Sequence, residues 1–257
     1  MAEPIIAEAA IALLEKVAGR PRRDWRLTDG KAARAVLAAK PIAYWRLNEF
    51  TGPHAADASG HDRDAVYEPA ITYYLAGPRS ANFCNDQQIN RAPHFVGGRL
   101  RSRLDALGDR YSISLWLWNG LPENAREVSG WLFSRGHVHG LGAGSDHLGV
   151  GGNGNHTGRL IFFHGNDSNS VTTGKTAIPR WQWQHAVLVR DGESVRAYLN
   201  GQLDLEAKAG TGGLADLRQC FFGGRSDNDS NWEGRLDEIA VFDRALTADE
   251  VKQLTVE

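Results

Sequence analysis

The sequence predicts an all-β fold, a two-sheet antiparallel sandwich with helical segments at its ends. Three observations carry that expectation. Short runs rich in β-branched and aromatic residues recur from Ile42 to Phe242, as half-buried strands require. Two pairs of these runs are joined through Asp191-Gly192 and Asn200-Gly201, residues that tolerate the positive φ of a tight hairpin turn. Glycine supplies 29 of 257 residues, and turns between short strands use glycine where long helices avoid it. The length fits one large domain, or one domain with a short appendage, better than two independent cores.

In chain order, Ile6, Ala10, Leu13, Leu14 and Val17 recur at helical spacing and predict an amphipathic N-terminal helix. Glu3, Glu8 and Glu15 interrupt its apolar run, and no basic segment precedes it, so it does not read as a secretory signal. The helix either docks on its own domain or serves as a linker; the alternative is a helix that binds a membrane surface, a partner or a second copy of the chain. No run of about 20 apolar residues follows that would span a bilayer. Residues 19–31 are basic and rich in helix breakers and predict a linker, which makes 1–32 an appendage and 33–257 the domain. A short helix over 32–40 stops before Pro41, because the residue preceding proline is pushed out of the helical region. After the β-rich run IAYWRL and a turn-rich loop over 51–64, strands are expected at 66–67, 80–83, 111–118, 131–134, 160–164, 184–190, 194–199, 219–223 and 234–242. Thr247-Ala248-Asp249-Glu250 is a capping box and starts a short final helix. The expected core holds Trp45, Ile113, Leu115, Trp116, Leu188, Leu199, Ile239 and Phe242.

In YSISLWLW the residues Ile113, Leu115 and Leu117 alternate with Ser114, Trp116 and Trp118. A strand apolar on both faces is either covered on both sides, or covered on one and lining a groove on the other. Cys84 and Cys220 either form one disulfide or remain two buried thiols; spacing alone does not decide. Lys and Arg total 29 against 31 Asp and Glu, a net charge of −2, which leaves no global field for nucleic acid. Arg99, Arg101 and Arg103 share one face if extended, and either grip anionic groups of a glycan or simply solvate an edge strand. His137 and His139, with Asp146 and His147 nearby, have metal-like spacing, but the surrounding glycines give such a site no fixed frame. The sequons at Asn155, Asn166 and Asn228 lie in polar loops, where Asn serves turns in any case.

Five segments together resemble one family: KPIAYWRLNE, GPHAADASGHDRDAVY, YSISLWLW, WQHAVLVRDGESVRAYLNGQLD and FFGGRSDNDSNWEGRLDEIAVFDRALTADEVKQL. They are similar to the laminin G-like, concanavalin A-like jelly-roll domains, from about Ala33 to Leu254. The resemblance implies a jelly roll with one concave sheet, an extracellular or periplasmic setting, and a module that binds glycans or glycoproteins, often with structural calcium. It assigns Asp57, in the loop after the first strand, and Asp237, of the Leu-Asp-Glu motif, to that calcium. The alternative is that these carboxylates cap turns and pair with Arg63 and Arg235.

Three function classes remain. For an enzyme, jelly-roll glycosidases place their carboxylates as Glu-x-Asp-x-x-Glu on one strand, and that pattern is absent, as are Gly-x-Ser-x-Gly and a phosphate loop. For a non-catalytic carbohydrate or glycoprotein binder, a sugar groove combines aromatic platforms with polar side chains. The candidate ligand residues are Trp118, Asn153, Asn166, Asp227 and Trp232, the last equally suited to a core. The third class is a structural or protein-interaction scaffold, which nothing in the sequence removes.

Overall fold

The computed structural model describes residues 30–78, 81–84, 89–105, 107–166, 171–214 and 217–256. The expected N-terminal amphipathic helix lies outside them. Helix α1 (Lys31–Ala38) comes first, so the expected boundary between 32 and 33 falls inside it. The strands follow as β1 (Ala43–Trp45), β2 (His54–Ala55), β3 (Ala65–Tyr67), β4 (Ile71–Ala76), β5 (Arg91–Val96), β6 (Leu100–Arg103), β7 (Arg110–Asn119) and β8 (Val128–Gly136). Then come β9 (Asp146–Gly151), β10 (Arg159–His164), β11 (Thr172–Ala177), β12 (Trp183–Asp191), β13 (Ser194–Leu199), β14 (Gln202–Lys208), β15 (Gln219–Phe222), β16 (Glu233–Phe242) and helix α2 (Ala248–Leu254).

Two antiparallel sheets result. The first runs β14-β13-β12-β7-β16-β5-β4, with β1 added alongside β16, and the second runs β11-β10-β9-β8-β15-β6-β3-β2. Each hairpin turn forms where the sequence placed it. Asp191 pairs with Ser194 and Leu199 with Gln202, while Gly192, Asn200 and Gly201 take positive φ values of 62°, 48° and 76°. Residues 81–84 form a turn and not the expected strand.

Between the sheets lies the main core, with Trp45, Ile113, Leu115, Leu188, Leu199 and Ile239 all buried as expected. A second apolar cluster sits on the outer face of the first sheet, where Tyr44, Val187, Val189, Tyr198, Ala240 and Phe242 meet Ala33 and Val36 of α1 and Val251 and Leu254 of α2. The capping box that starts α2 is complete, with Thr247 accepting from the Glu250 amide and Glu250 from the Thr247 amide. Trp116 departs from expectation. It is partly exposed on the outer face, because its neighbours Leu115 and Leu117 take the inner one.

A charged staple crosses the sandwich. Asp146 of β9 accepts from Tyr111 of β7 at 2.6 Å and His164 of β10 at 2.7 Å, and pairs with Arg190 of β12. Arg190 and Asp146 are wholly buried, and these partners hold the Asp146 carboxyl below its usual range against the upward push of burial. The Gly210 amide donates to His164 Nε2 at 2.9 Å, which leaves Nδ1 as the nitrogen that donates to Asp146. Cys84 and Cys220 are both buried and are not joined in a disulfide.

Candidate functional site

The two outer faces differ in what covers them. On the second sheet, register places Arg101, Phe221, Ser134, His147 and Phe163 side by side across β6, β15, β8, β9 and β10. All five are buried. The loop between β15 and β16 closes over them: the Ser226 amide donates to Ser134 Oγ at 2.9 Å, and Arg99 reaches the carbonyls of Arg225 and Ser226. This face is sealed by the chain itself.

Among the described residues, α1 and α2 cover only part of the outer face of the first sheet. At the border of the covered part Trp116 packs edge-on against Phe83, with centroids 5.0 Å apart, and beside His185 at 5.1 Å. One rung further, a row of side chains crosses five adjacent strands in register: Thr72 with His94, His94 with Arg235, Arg235 with Trp118, and Trp118 with Trp183. Directly paired residues point to the same side of a sheet. Since Phe95, Leu236 and Leu117 fill the core, the whole row faces outward. Thr72 is exposed, and His94, Arg235, Trp118 and Trp183 are partly exposed.

The row is fixed by stacking and by backbone contacts. The Arg235 guanidinium lies 4.7 Å from the Trp118 ring and donates to the Ala76 carbonyl at 2.6 Å. His94 sits 6.1 Å from Trp118. Burial first, and then the positive charge of Arg235, hold the His94 imidazole below its ordinary pKa, which favours the neutral ring. At the end of the row Trp181 is 61% exposed, and its amide donates to the Asn119 carbonyl at 3.0 Å. Arg180 stacks on Trp181 at 4.3 Å and donates to the Gly120 carbonyl at 3.1 Å. Asn200 and Gln184, hydrogen-bonded at 2.5 Å, stand next to Trp183 and His185. Such a surface offers indole faces to the C–H side of a sugar ring and polar groups to its hydroxyl rim.

Of the ligand residues expected from sequence, Trp118 belongs to this row and the others do not. Trp232 is wholly buried in the inter-sheet core, a correction with a plain steric cause. Gly130 and Gly234 give the indole its slot, because a Cβ on Gly130 would come 2.6 Å from Trp232 Cα and one on Gly234 2.8 Å from its Nε1. Asn153 and Asn166 are exposed but lie beyond opposite ends of β10. A six-residue strand separates its ends by roughly 20 Å. Asp227 is engaged by Arg225 through two hydrogen bonds, at 2.8 and 2.9 Å. Trp183, Trp181, His94, Arg180 and Arg235, which share this surface with Trp118, were not among the residues expected from sequence. The Trp-Gln-Trp pattern after Arg180 is the signal in the sequence for Arg180, Trp181 and Trp183; His94 and Arg235 join them only through strand pairing.

The anion-binding expectation for β6 fails on burial. Arg99 is paired within the protein to Glu68, at 2.5 and 2.9 Å, Arg101 is buried, and only Arg103 is exposed, where it meets Asp105. The histidine cluster does not converge either: Asp146 turns into the sandwich toward Tyr111, while the adjacent His147 points outward to Ser134.

For calcium, the two carboxylates differ. Asp57 accepts from the Tyr44 and Ser59 amides on Oδ1, and from Ser59 Oγ and the Arg63 amide on Oδ2. It is the hub of its own turn, with both oxygens occupied by donors. Asp237 is wholly buried, accepts from Asn90 Nδ2 at 2.7 Å, and has an Oδ1 with no hydrogen-bond partner; Asn90 Oδ1 has none either. Gly77 borders both groups, since a Cβ there would lie 3.1 Å from Asp237 Oδ2. Two buried oxygen acceptors lacking donors are of the kind a hard cation takes, and they are two of the about six to eight that calcium gathers. Among the described residues no group of three or more His, Cys, Asp or Glu side chains gathers into a metal cluster.

A laminin G-type family model, the concanavalin A-like lectin/glucanases superfamily, matches residues 98–252. No curated protein sequence matches. Among solved structures, the chain is similar to domain 4 of AbnA, a GH43 extracellular arabinanase from Geobacillus stearothermophilus, in complex with arabinotriose. That match has a TM-score of 0.59 and 20% identity, covering 84% of this chain and 98% of that one. It is also similar to Trypanosoma rangeli sialidase in complex with sialic acid, with a TM-score of 0.59, 15% identity, and coverage of 84% of this chain and 33% of the sialidase. The chain therefore spans about a third of the sialidase, and likeness at these identities concerns the fold.

Proposed function

Because the chain belongs to the concanavalin A-like lectin/glucanase superfamily, we propose that it is a non-catalytic module binding carbohydrate on the open part of the first sheet. The observation that carries this reading is the outward row Thr72, His94, Arg235, Trp118 and Trp183, in register across five strands and continued by the exposed Trp181. A row of this kind suits an extended oligosaccharide, whose successive rings would meet successive strands about 4.8 Å apart. The arabinanase domain in complex with arabinotriose supports it, since that domain matches this chain over nearly its full length. In this reading the residues that hold calcium are Asp237 and Asn90, and calcium would supply charge to two oxygens that otherwise lie buried without donors. The cation is thus structural, bracing β16 behind the row.

Isothermal titration with neutral and acidic oligosaccharides, alongside tryptophan fluorescence, tests the reading. We expect Trp181→Ala to weaken binding about tenfold, roughly 1.4 kcal/mol, within the range of aromatic hot spots. Its melting temperature should match the parent's, because the side chain is mostly exposed. Silence of the parent toward every oligosaccharide, or parental affinity in both Trp181→Ala and Trp183→Ala, would remove the proposal.

A further inference from the structure

We infer that the open part of the first sheet binds the interior of a linear polysaccharide, consecutive rings laid across consecutive strands, and does not select a chain end. The inference rests on the carbohydrate reading of the same row and names its substrate class.

Length is the first argument. The row crosses β12, β7, β16, β5 and β4 in one register, and five strands about 4.8 Å apart make a platform roughly 19 Å long. With one ring to a strand it holds about five rings. One long side of the platform is bounded, because Trp116, a rung further in, is packed by Phe83 and His185. Along the other side a second rung runs parallel to the row. There the Ala70 carbonyl accepts from the Val96 amide, Val96 pairs with Glu233, and the Glu233 carbonyl accepts from Gly120, whose own carbonyl holds Arg180. Val96 is 48% exposed, and Ala70 and Glu233 are exposed with it. The open surface is a strip, longer than it is wide.

Both ends of the strip reach the margin of the sheet. β4 is the edge strand, and the residues brought there, Ala70 and Thr72, are short and exposed. At the other end β13 stops at Leu199, opposite Ala186, and the turn after it bonds the Asn200 amide to the His185 carbonyl. Trp183 lies past that turn, so among the described residues it has β7 on one side and no strand on the other. The neighbouring Trp181 is tied back toward β7 through its amide's bond to Asn119, and it lengthens the aromatic platform. Recognition of a chain terminus needs a wall against which the last ring stops. A strip that runs out at both margins lets the polymer continue past them, and its indoles stack on any ring of the chain.

The test uses the full chain in two titrations. Calorimetry with ladders of one to six residues from linear glucan, xylan, arabinan and polygalacturonate measures the dependence on length. For the polysaccharide that binds, we expect the pentamer to bind about tenfold or more tightly than the dimer, and the hexamer to match the pentamer within about twofold. Titration with the intact polysaccharide, in chains of about a hundred residues, measures stoichiometry: interior binding seats several protein molecules on each chain, and end binding seats one. His94→Ala, on β5, should narrow the margin between pentamer and trimer at least about threefold, because three rings on Trp183, Trp118 and Arg235 do not reach that strand. One protein molecule per chain, a pentamer no tighter than the dimer, or a margin unaltered in His94→Ala would overturn the inference and leave the carbohydrate reading standing. Binding of none would overturn both.

Discussion

Trp232 shows how a single side chain is assigned by residues far from it in sequence. It sits in DNDSNWEG, a polar stretch that reads equally as an exposed loop, and the residues that bury it, Gly130 and Gly234, make room by lacking a Cβ. That steric fact is invisible without the pairing of strands. We expect Trp232→Ala to cost about 3–5 kcal/mol, as for other large aromatics removed from a core; a urea titration showing a change within 0.5 kcal/mol would return Trp232 to the surface. Leu115 and Ile113, by contrast, were legible from alternation alone, because a core-facing stripe at period two needs no knowledge of partners. The same alternation put Trp116 and Trp118 on one face. It could not say which part of that face the helices cover, and so Trp116 was expected in the core.

Strand β16 makes the corresponding point for an element. Strict alternation would send Asp237 and Glu238 to opposite faces. The register instead shifts between Asp237 and Ala240, with Glu238 at a positive φ of 49°, and a bulge of this kind re-aims a side chain. Leu236 and Ile239 face the core on either side of it, while Glu238 bonds Tyr44 and Arg46, and Asp237 bonds Asn90. The strands that the sequence reading missed have equally concrete causes. β11 and β4 lie at sheet edges and β14 at another, where polar and charged residues are favoured and alternation weakens; β5 contains Pro93, and β9 contains Gly149 and Gly151. At this scale the calcium proposal is testable. Millimolar calcium should raise the melting temperature of the parent and leave that of Asp237→Asn unmoved, whereas Asp57→Asn should still respond. A parent indifferent to calcium at 10 mM would dispose of it.

For the molecule as a whole, two neutral histidines buried on opposite sheets link stability to acid. His147 and His185 are both pushed down to about 3 by burial. His185 accepts from Ser114 and donates to Thr255, pinning the end of α2 to the sheet. In the unfolded chain each would titrate near 6.5. Above that pH their contribution is complete; between 6.5 and about 3 the unfolded chain binds protons that the folded chain refuses, so stability falls as pH drops through this window. Asp237 and Glu49, raised by burial, act with the opposite sign, and a comparison of variants isolates the histidine. Relative to His185→Gln, the parent should lose stability more steeply between pH 6.5 and 4, the difference approaching about 1.4 kcal/mol per pH unit. Parallel curves in urea-unfolding series would show that His185 is not the linked group. The placement of α2 has a practical bearing as well. It lies on the same side of the sandwich as the indole and guanidinium row, so a tag added after its last turn would anchor the molecule with that side toward a sensor chip or resin. Immobilisation at the opposite side, for instance through a cysteine introduced at the exposed His139, would turn the row toward the flowing analyte.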